Sequence, residues 1–228
     1  MTREWDDALH ARLQALDAAA LCDGAGALGI EIGVLDPAIR LVTKGARMAG
    51  PARPVACDRD FLEVWQGLAR SQPGEVLVIA AADRAVVGEL FSAEAARREL
   101  AGVVVDGYCR DTAALRESAL PVYARGSTPR AGSATIARGP ATVVVAGGVA
   151  VGAGDVVFGD ADGVVVVRPA LLESLVAAAE AVQRREAAIL ATIRRGGSVF
   201  DHTNLAEHYA ARLAGEPSTM QVRDDAPA

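Results

Sequence analysis

Arg110 and Asp111 stand side by side at the end of Ala101-Gly-Val-Val-Val-Asp-Gly-Tyr-Cys-Arg-Asp111. Glu89 precedes them in Gly88-Glu-Leu-Phe91, with twenty residues between Glu89 and Arg110. These residue types can divide a job. A guanidinium grips a carboxylate with two hydrogen bonds. A carboxylate oxygen holds a hard divalent cation. A second carboxylate, here Glu89, can move protons if it shares the pocket. The competing reading makes Arg110 and Asp111 ordinary surface charges that cap a helix beginning near Thr112. Spacing alone leaves the two readings about even, since charged residues are common on loops.

The elements around them decide whether they can meet. Val103 to Val105 is a β-branched run that reads as a buried strand, with Asp106-Gly107 as its exit turn. Arg110 and Asp111 then fall just past a strand's C-terminal end, where parallel α/β sheets keep their ligands. Glu75 to Ala81 predicts the preceding strand, and Val86 to Leu100 a helix that carries Glu89 on or near its start. Thr112 to Ala119 predicts a short helix and Pro121 to Ala124 a further strand. This βαβαβ rhythm implies right-handed crossovers and a parallel sheet.

Upstream, 4–20 has apolar residues at helical spacing, and Leu21 to Gly29 is small and Gly-rich. Residues 47–57 alternate but carry two prolines, which suggests an edge strand. Asp60 to Ser71 predicts a helix, with Asp58 or Asp60 as cap and Trp65 packed into the core. Downstream, Ala141 to Val151, Val156 to Phe158 and Gly163 to Arg168 are valine-rich and Gly-interrupted, predicting hairpins in a small barrel-like layer. Pro169 to Arg195 predicts a long helix with proline in its first turn, and Asn204 to Ala214 a last amphipathic helix. The expected organisation is one α/β domain over 1–214, with terminal helices for subunit packing and a polar, disordered tail over 215–228.

Composition narrows the function. The chain has 228 residues, 51% hydrophobic but only 4% aromatic, so its core is built from Ala, Val and Leu. A net charge of -6 with both signs dispersed argues against a nucleic-acid surface. No apolar run reaches membrane-spanning length, so no membrane partner is expected. Cys22, Cys57 and Cys109 show no paired spacing and read as reduced thiols in a cytoplasmic protein. Lys44 is the one lysine and sits in a turn-like Thr-Lys-Gly, so Schiff-base catalysis has a poor candidate and carbon–carbon lyase chemistry points to a metal.

Other motifs carry less. Asp155, Asp160 and Asp162 fail the EF-hand spacing and read as turn residues. Gly147-Gly148 and Gly152-Ala-Gly154 lack what a phosphate loop needs. Arg125 to Arg130 is a basic loop, for an anion, a neighbouring subunit or structure alone. The histidines form no metal pair, and no Gly-x-Ser-x-Gly elbow is present. Glu186 reads as a solvated helix residue.

The chain resembles the RraA-like family, which includes class II 4-hydroxy-4-methyl-2-oxoglutarate aldolases and regulators of ribonuclease E activity. The resemblance rests on Leu35-Asp-Pro-Ala-Ile-Arg40, Pro73-Gly-Glu-Val-Leu-Val-Ile79, Gly88-Glu-Leu90, Gly102-Val-Val-Val-Asp-Gly-Tyr-Cys-Arg-Asp111 and Val151-Gly-Ala-Gly-Asp155 with Asp160-Ala-Asp-Gly163. It implies an α/β/βα sandwich like the phosphohistidine swivelling domain, assembled as a homotrimer or hexamer with the site between subunits. Asp111 would bind Mg²⁺ or Mn²⁺, and Arg110 the carboxylate or carbonyl of a 2-keto acid. Gly88, Glu89, Leu90 and Phe91 would offer backbone N–H groups to that carboxylate, Glu89 would hold water at the metal, and Glu186 would enter from the adjacent subunit. The activity so implied is pyruvate-releasing aldol cleavage with oxaloacetate decarboxylation. The alternative is a non-enzymatic regulator that binds ribonuclease E or another protein.

Overall fold

The computed structural model describes residues 7–44 and 47–222. It opens on two helices, α1 (Asp7–Gln14) and α2 (Ala18–Leu28), where the sequence predicts a single helix and then a Gly-rich stretch. The break has a local cause. Asp17 is extended and its side chain accepts the Ala20 N–H, which starts a new helix. Gly24 stays helical because α2 lies close against a long helix, α6 (Leu172–Arg194), and a Cβ there would sit 2.9 Å from the Ala179 nitrogen.

Four strands run parallel in chain order: β3 (Met48–Ala56), β4 (Val76–Val87), β5 (Gly102–Cys109) and β6 (Val122–Ser127). Helices α3 (Leu62–Arg70), α4 (Glu89–Arg97) and α5 (Thr112–Leu115) lie in the crossovers between them. The short strands β1 (Gly33–Val34) and β2 (Arg40–Leu41) close the two ends, and β9 (Val156–Gly159) and β10 (Val164–Val167) join antiparallel beside β3. The sheet order is therefore β1-β10-β9-β3-β4-β5-β6-β2, with β7 (Val143–Ala146) and β8 (Val149–Gly152) as a separate hairpin. The expected barrel-like layer is thus only partly separate, since β9 and β10 belong to the main sheet.

β3 is central, contrary to the edge strand that its prolines suggest. Its first half, residues 48–51, pairs with β9, and its second half, residues 52–56, pairs with β4. Backbone N–H groups alternate in direction along a strand. Ala52 donates to the Asp155 carbonyl, so Pro54 faces the same side, past the end of the β9 ladder. Pro51 faces the β4 side, just before that ladder begins. Each missing donor therefore falls where no acceptor waits.

The sheet folds over itself at β3. Tyr123 on β6 donates its hydroxyl to the carbonyl of Asp160, which follows β9. Met48, Val78, Val104, Tyr123, Val157 and Val164 fill the space between the halves, with the β7–β8 hairpin over them. Outside, α3, α4 and α5 cover one half through Val64, Phe91 and Leu115. On the other half, α1, α2 and α6 pack through Leu13, Leu21 and Leu175. The result is an α/β/β/α sandwich. Arg125 ties it together from within, donating to Asp106 on β5 and Asp36, while Asp106 also accepts the Gly147 N–H of the hairpin turn.

Asp155 accepts the Gly152 N–H, and Asp160 accepts from Ala18 and Asp162, so both serve turns. The three cysteines are free, and burial pushes the Cys57 thiol up to about 12. After α7 (Leu205–Leu213), the chain folds back through bonds from Asn204 to Thr219 and Gln221 to Asn204, with a bridge between Thr203 and Val222. The part of the polar tail beyond 222 lies outside the described residues. No helix among the described residues is long and apolar enough to cross a membrane.

Candidate active site

Two long neighbouring strands build the site. β4 runs on to Val87 and β5 to Cys109, both further than their sequences suggest. Asp106-Gly107 is therefore not an exit turn. It lies inside β5, where the register with β6 shifts between Val105 and Tyr108. Likewise the predicted helix start at Val86 is still strand, and α4 begins only after Gly88. Apolar Val86 and Val87 suit either element, and pairing of Val87 with Cys109 decides for the strand. The two strand ends thus emerge together, one into Gly88-Glu89 and the other into Arg110-Asp111.

Asp111 then turns sharply. Its backbone is left-handed, at φ 56° and ψ 40°, a region that Asp tolerates better than most residues. The turn ends β5, starts α5 and brings the carboxylate back to the head of α4. Oδ2 of Asp111 accepts the Glu89 N–H at 3.2 Å and lies 3.5 Å from Nε of Arg110. Gly88 is what permits this approach. A Cβ there would stand 2.5 Å from Asp111 Oδ2 and 3.1 Å from Arg110 Cγ. Arg110 is anchored by its own N–H, which donates to the Val87 carbonyl at 2.9 Å.

These groups open on one cleft of about 490 Å³. Gly88, Glu89, Leu90, Phe91, Arg110 and Asp111 all line it. The first turn of α4 faces it as well, and its leading N–H groups have no acceptor inside the helix. A helix N-terminus of this kind favours an anion. Cys109, by contrast, is fully buried and donates to the Gly126 carbonyl, and burial raises its thiol pKa. It is a packed filler.

The opposite wall comes from α3 and the segment after β6. Phe61, Trp65 and Ala131 line it. Trp65 is not the core residue its helix pattern suggests. It is 38% exposed, with its ring edge-on to Phe91 at 5.5 Å. Phe61, Val64, Trp65 and Leu68 fall at i, i+3, i+4 and i+7 on one apolar stripe, so no sequence signal separates this wall from the buried Val64 and Leu68. Asp60 holds the segment in place: Oδ2 accepts from Ser133, Thr135 and Ile136, while Oδ1 accepts the Leu62 N–H of α3. Burial pushes the Asp60 carboxyl up, but these bonds outweigh it and hold the group well below the usual range. Glu63 accepts the N–H groups of Gly139 and Arg138, which lower its pKa in the same way.

Among the described residues no group of three or more acidic, histidine or cysteine side chains gathers to cage a metal. The cleft offers Asp111 and Glu89. That donor set fits Mg²⁺ or Mn²⁺ held by one or two carboxylates, with water and substrate oxygens completing the shell. Glu186 stays apart. It is exposed on α6, in the helical layer on the far side of the sandwich, and does not line the cleft of its own chain.

Residues 18–166 match the family described as RraA-like: Aldolase/RraA. The chain belongs to the RraA-like family. A Halalkalibacterium halodurans relative named "Putative 4-hydroxy-4-methyl-2-oxoglutarate aldolase" is 32% identical over 137 residues, 58% of this chain and 65% of that one. The alignment thus spans just under two thirds of that relative's length. Among solved structures, Streptomyces coelicolor RraAS2, called an unusual member of the RNase ES inhibitor RraA family, is 30% identical. It superposes at a TM-score of 0.68 over 79% of this chain and 94% of its own. An uncharacterised Pseudomonas syringae pv. tomato protein superposes at 0.73, with 25% identity over 85% and 95% of the two chains. The sandwich is therefore the RraA-like fold.

Proposed function

We propose that this RraA-like protein is a divalent-metal-dependent lyase that releases pyruvate from 4-hydroxy-2-oxo acids, with oxaloacetate decarboxylation as a related activity. One observation carries the reading: Arg110 and Asp111 converge with the open head of α4 in a single cleft. Arg110 would hold the substrate's carboxylate through its planar fork, helped by the first N–H groups of α4. The same guanidinium would stabilise the negative charge that grows on the C2 oxygen as the pyruvate enolate forms. Asp111, with Glu89 nearby, would hold Mg²⁺ or Mn²⁺, which supplies Lewis-acid stabilisation of that charge. Glu89, exposed at the mouth, would take the proton from the C4 hydroxyl and return one to the enolate carbon. Glu186 could share that role only from a neighbouring copy in a homotrimer or hexamer.

The test is pyruvate release by EDTA-stripped protein from 4-hydroxy-4-methyl-2-oxoglutarate and from oxaloacetate, with and without Mg²⁺ or Mn²⁺. Release above the metal-only control is expected. Asp111→Ala and Arg110→Ala should each lower it by about a hundredfold or more, the usual cost of removing a group that stabilises developing charge. Full turnover by either variant would sink the assignment. If Glu186 serves across an interface, mixing Glu186→Gln with Arg110→Ala protomers should restore activity that neither has alone.

A second reading is a non-enzymatic regulator that binds a ribonuclease or another protein. The match to the RNase ES inhibitor family favours it, and the acidic net charge would suit an arginine-rich partner. Recovery of a ribonuclease on immobilised protein, with no pyruvate released from either acid, would select it.

A further inference from the structure

We propose that the aromatic wall of the cleft makes this site select 2-oxo acids whose distal substituent is an uncharged alkyl or aryl group, over dicarboxylates. The inference rests on the keto-acid reading above and names the substrate class within it. Its ground is the uneven chemistry of the lining. Arg110 is the one cationic side chain among the described lining residues, set against the carboxylates of Glu89 and Asp111. If Arg110 takes the substrate's first carboxylate, no second cation remains for another among the described lining residues of this chain. Arg59 and Arg84, which adjoin the cleft in sequence, both turn to Asp83, at 2.8 and 3.1 Å. Arg130 gives its backbone carbonyl to Ala85 and lies outside the lining.

Phe61, Trp65 and Leu90 line the same cleft as Arg110. Leu90 is 76% exposed and Trp65 38%, so the wall presents apolar surface to the cleft. Phe91, buried beneath, fixes the Trp65 ring edge-to-face at an interplanar angle of 75°. A distal carboxylate pressed against this wall would lose water with nothing to replace it, beside a like-charged Glu89. An alkyl or aryl group would bury apolar area on both sides. A rigid indole face also costs little order on binding, which suits it to hold a ring.

The experiment uses the full chain carrying Trp5→Phe, which leaves Trp65 as the single tryptophan. With Mg²⁺ present, its fluorescence is titrated with pyruvate, phenylpyruvate and 2-oxoglutarate, and calorimetry checks each affinity. Phenylpyruvate should quench Trp65 and bind at least about tenfold more tightly than 2-oxoglutarate, the scale expected for burying one ring. By calorimetry, Trp65→Ala should lose about tenfold more affinity for phenylpyruvate than for pyruvate. Leu90→Ala, altered at an exposed position, should shift the preference in the same direction. Equal or tighter binding of 2-oxoglutarate, or equal losses for both acids in the variants, would overturn the inference while leaving the keto-acid site standing. Failure of all three acids, pyruvate included, to bind would remove that site and the inference with it.

Discussion

The carboxylate of Asp111 is held by a backbone angle and by a missing side chain. The left-handed turn at Asp111 aims it at the head of α4, and Gly88 leaves the room. Gly88→Ala is therefore expected to act on the site rather than on the fold. Gly88 has φ -153°, which alanine adopts freely, so the conflict is with the site side chains alone, at 2.5 Å from Asp111 Oδ2 and 3.1 Å from Arg110 Cγ. Pyruvate release and Mg²⁺ affinity should each fall about tenfold or more, consistent with the sensitivity of such sites to displacements near 1 Å. The unfolding midpoint should change little, and a variant that keeps full activity would show that the carboxylate need not sit there. At this scale the sequence was partly legible. The Arg-Asp pair past an apolar run and Glu89 ahead of it all fall in one cleft. Trp65 was missed because a tryptophan among apolar residues on a helix looks the same whether a neighbour covers it or a cleft leaves it open.

The segment from 128 to 142 forms no named helix or strand, yet it is firmly fastened. Its fastening is α3, through Asp60 and Glu63. Both carboxyls have pKa values lowered by bonds that exist only in the folded chain. Their stabilisation is thus complete above the unfolded values of 3.8 and 4.5 and fades as pH falls through the folded ones. Thermal stability should stay level from neutral pH to about 5 and drop below about 4.5. Asp60→Asn should lower stability at pH 7 and flatten its acid-side slope; an unchanged slope would mean that these bonds do not hold in solution. The element boundaries that the sequence missed have one cause. Val86, Val87, Tyr108 and Cys109 suit helix, turn or strand, and only pairing with a distant partner chose strand. The helices α3, α6 and α7 were easier, since their own periodicity marks them.

At the scale of the whole molecule, the parallel half was legible from its alternating strands and helices, while the fold-over at β3 was not. Pairing of residues 48–51 with β9 joins segments about a hundred residues apart, and no local pattern records it. A chain cut after Gly154 would keep β3 to β6 but lose β9, β10 and α6. Such a chain is expected to be protease-sensitive throughout and prone to aggregate, where the full chain resists digestion; a stable, soluble fragment would contradict this. The shared strand also sets a clock. As the chain is synthesised at roughly 5–20 residues per second, the first half of β3 would wait about 5–20 seconds for its partner. During that wait it is an open edge on which another nascent chain could pair. Pro54, whose missing donor faces that same side, denies an intruding strand any hold just past an edge that stands open only while the protein is being made.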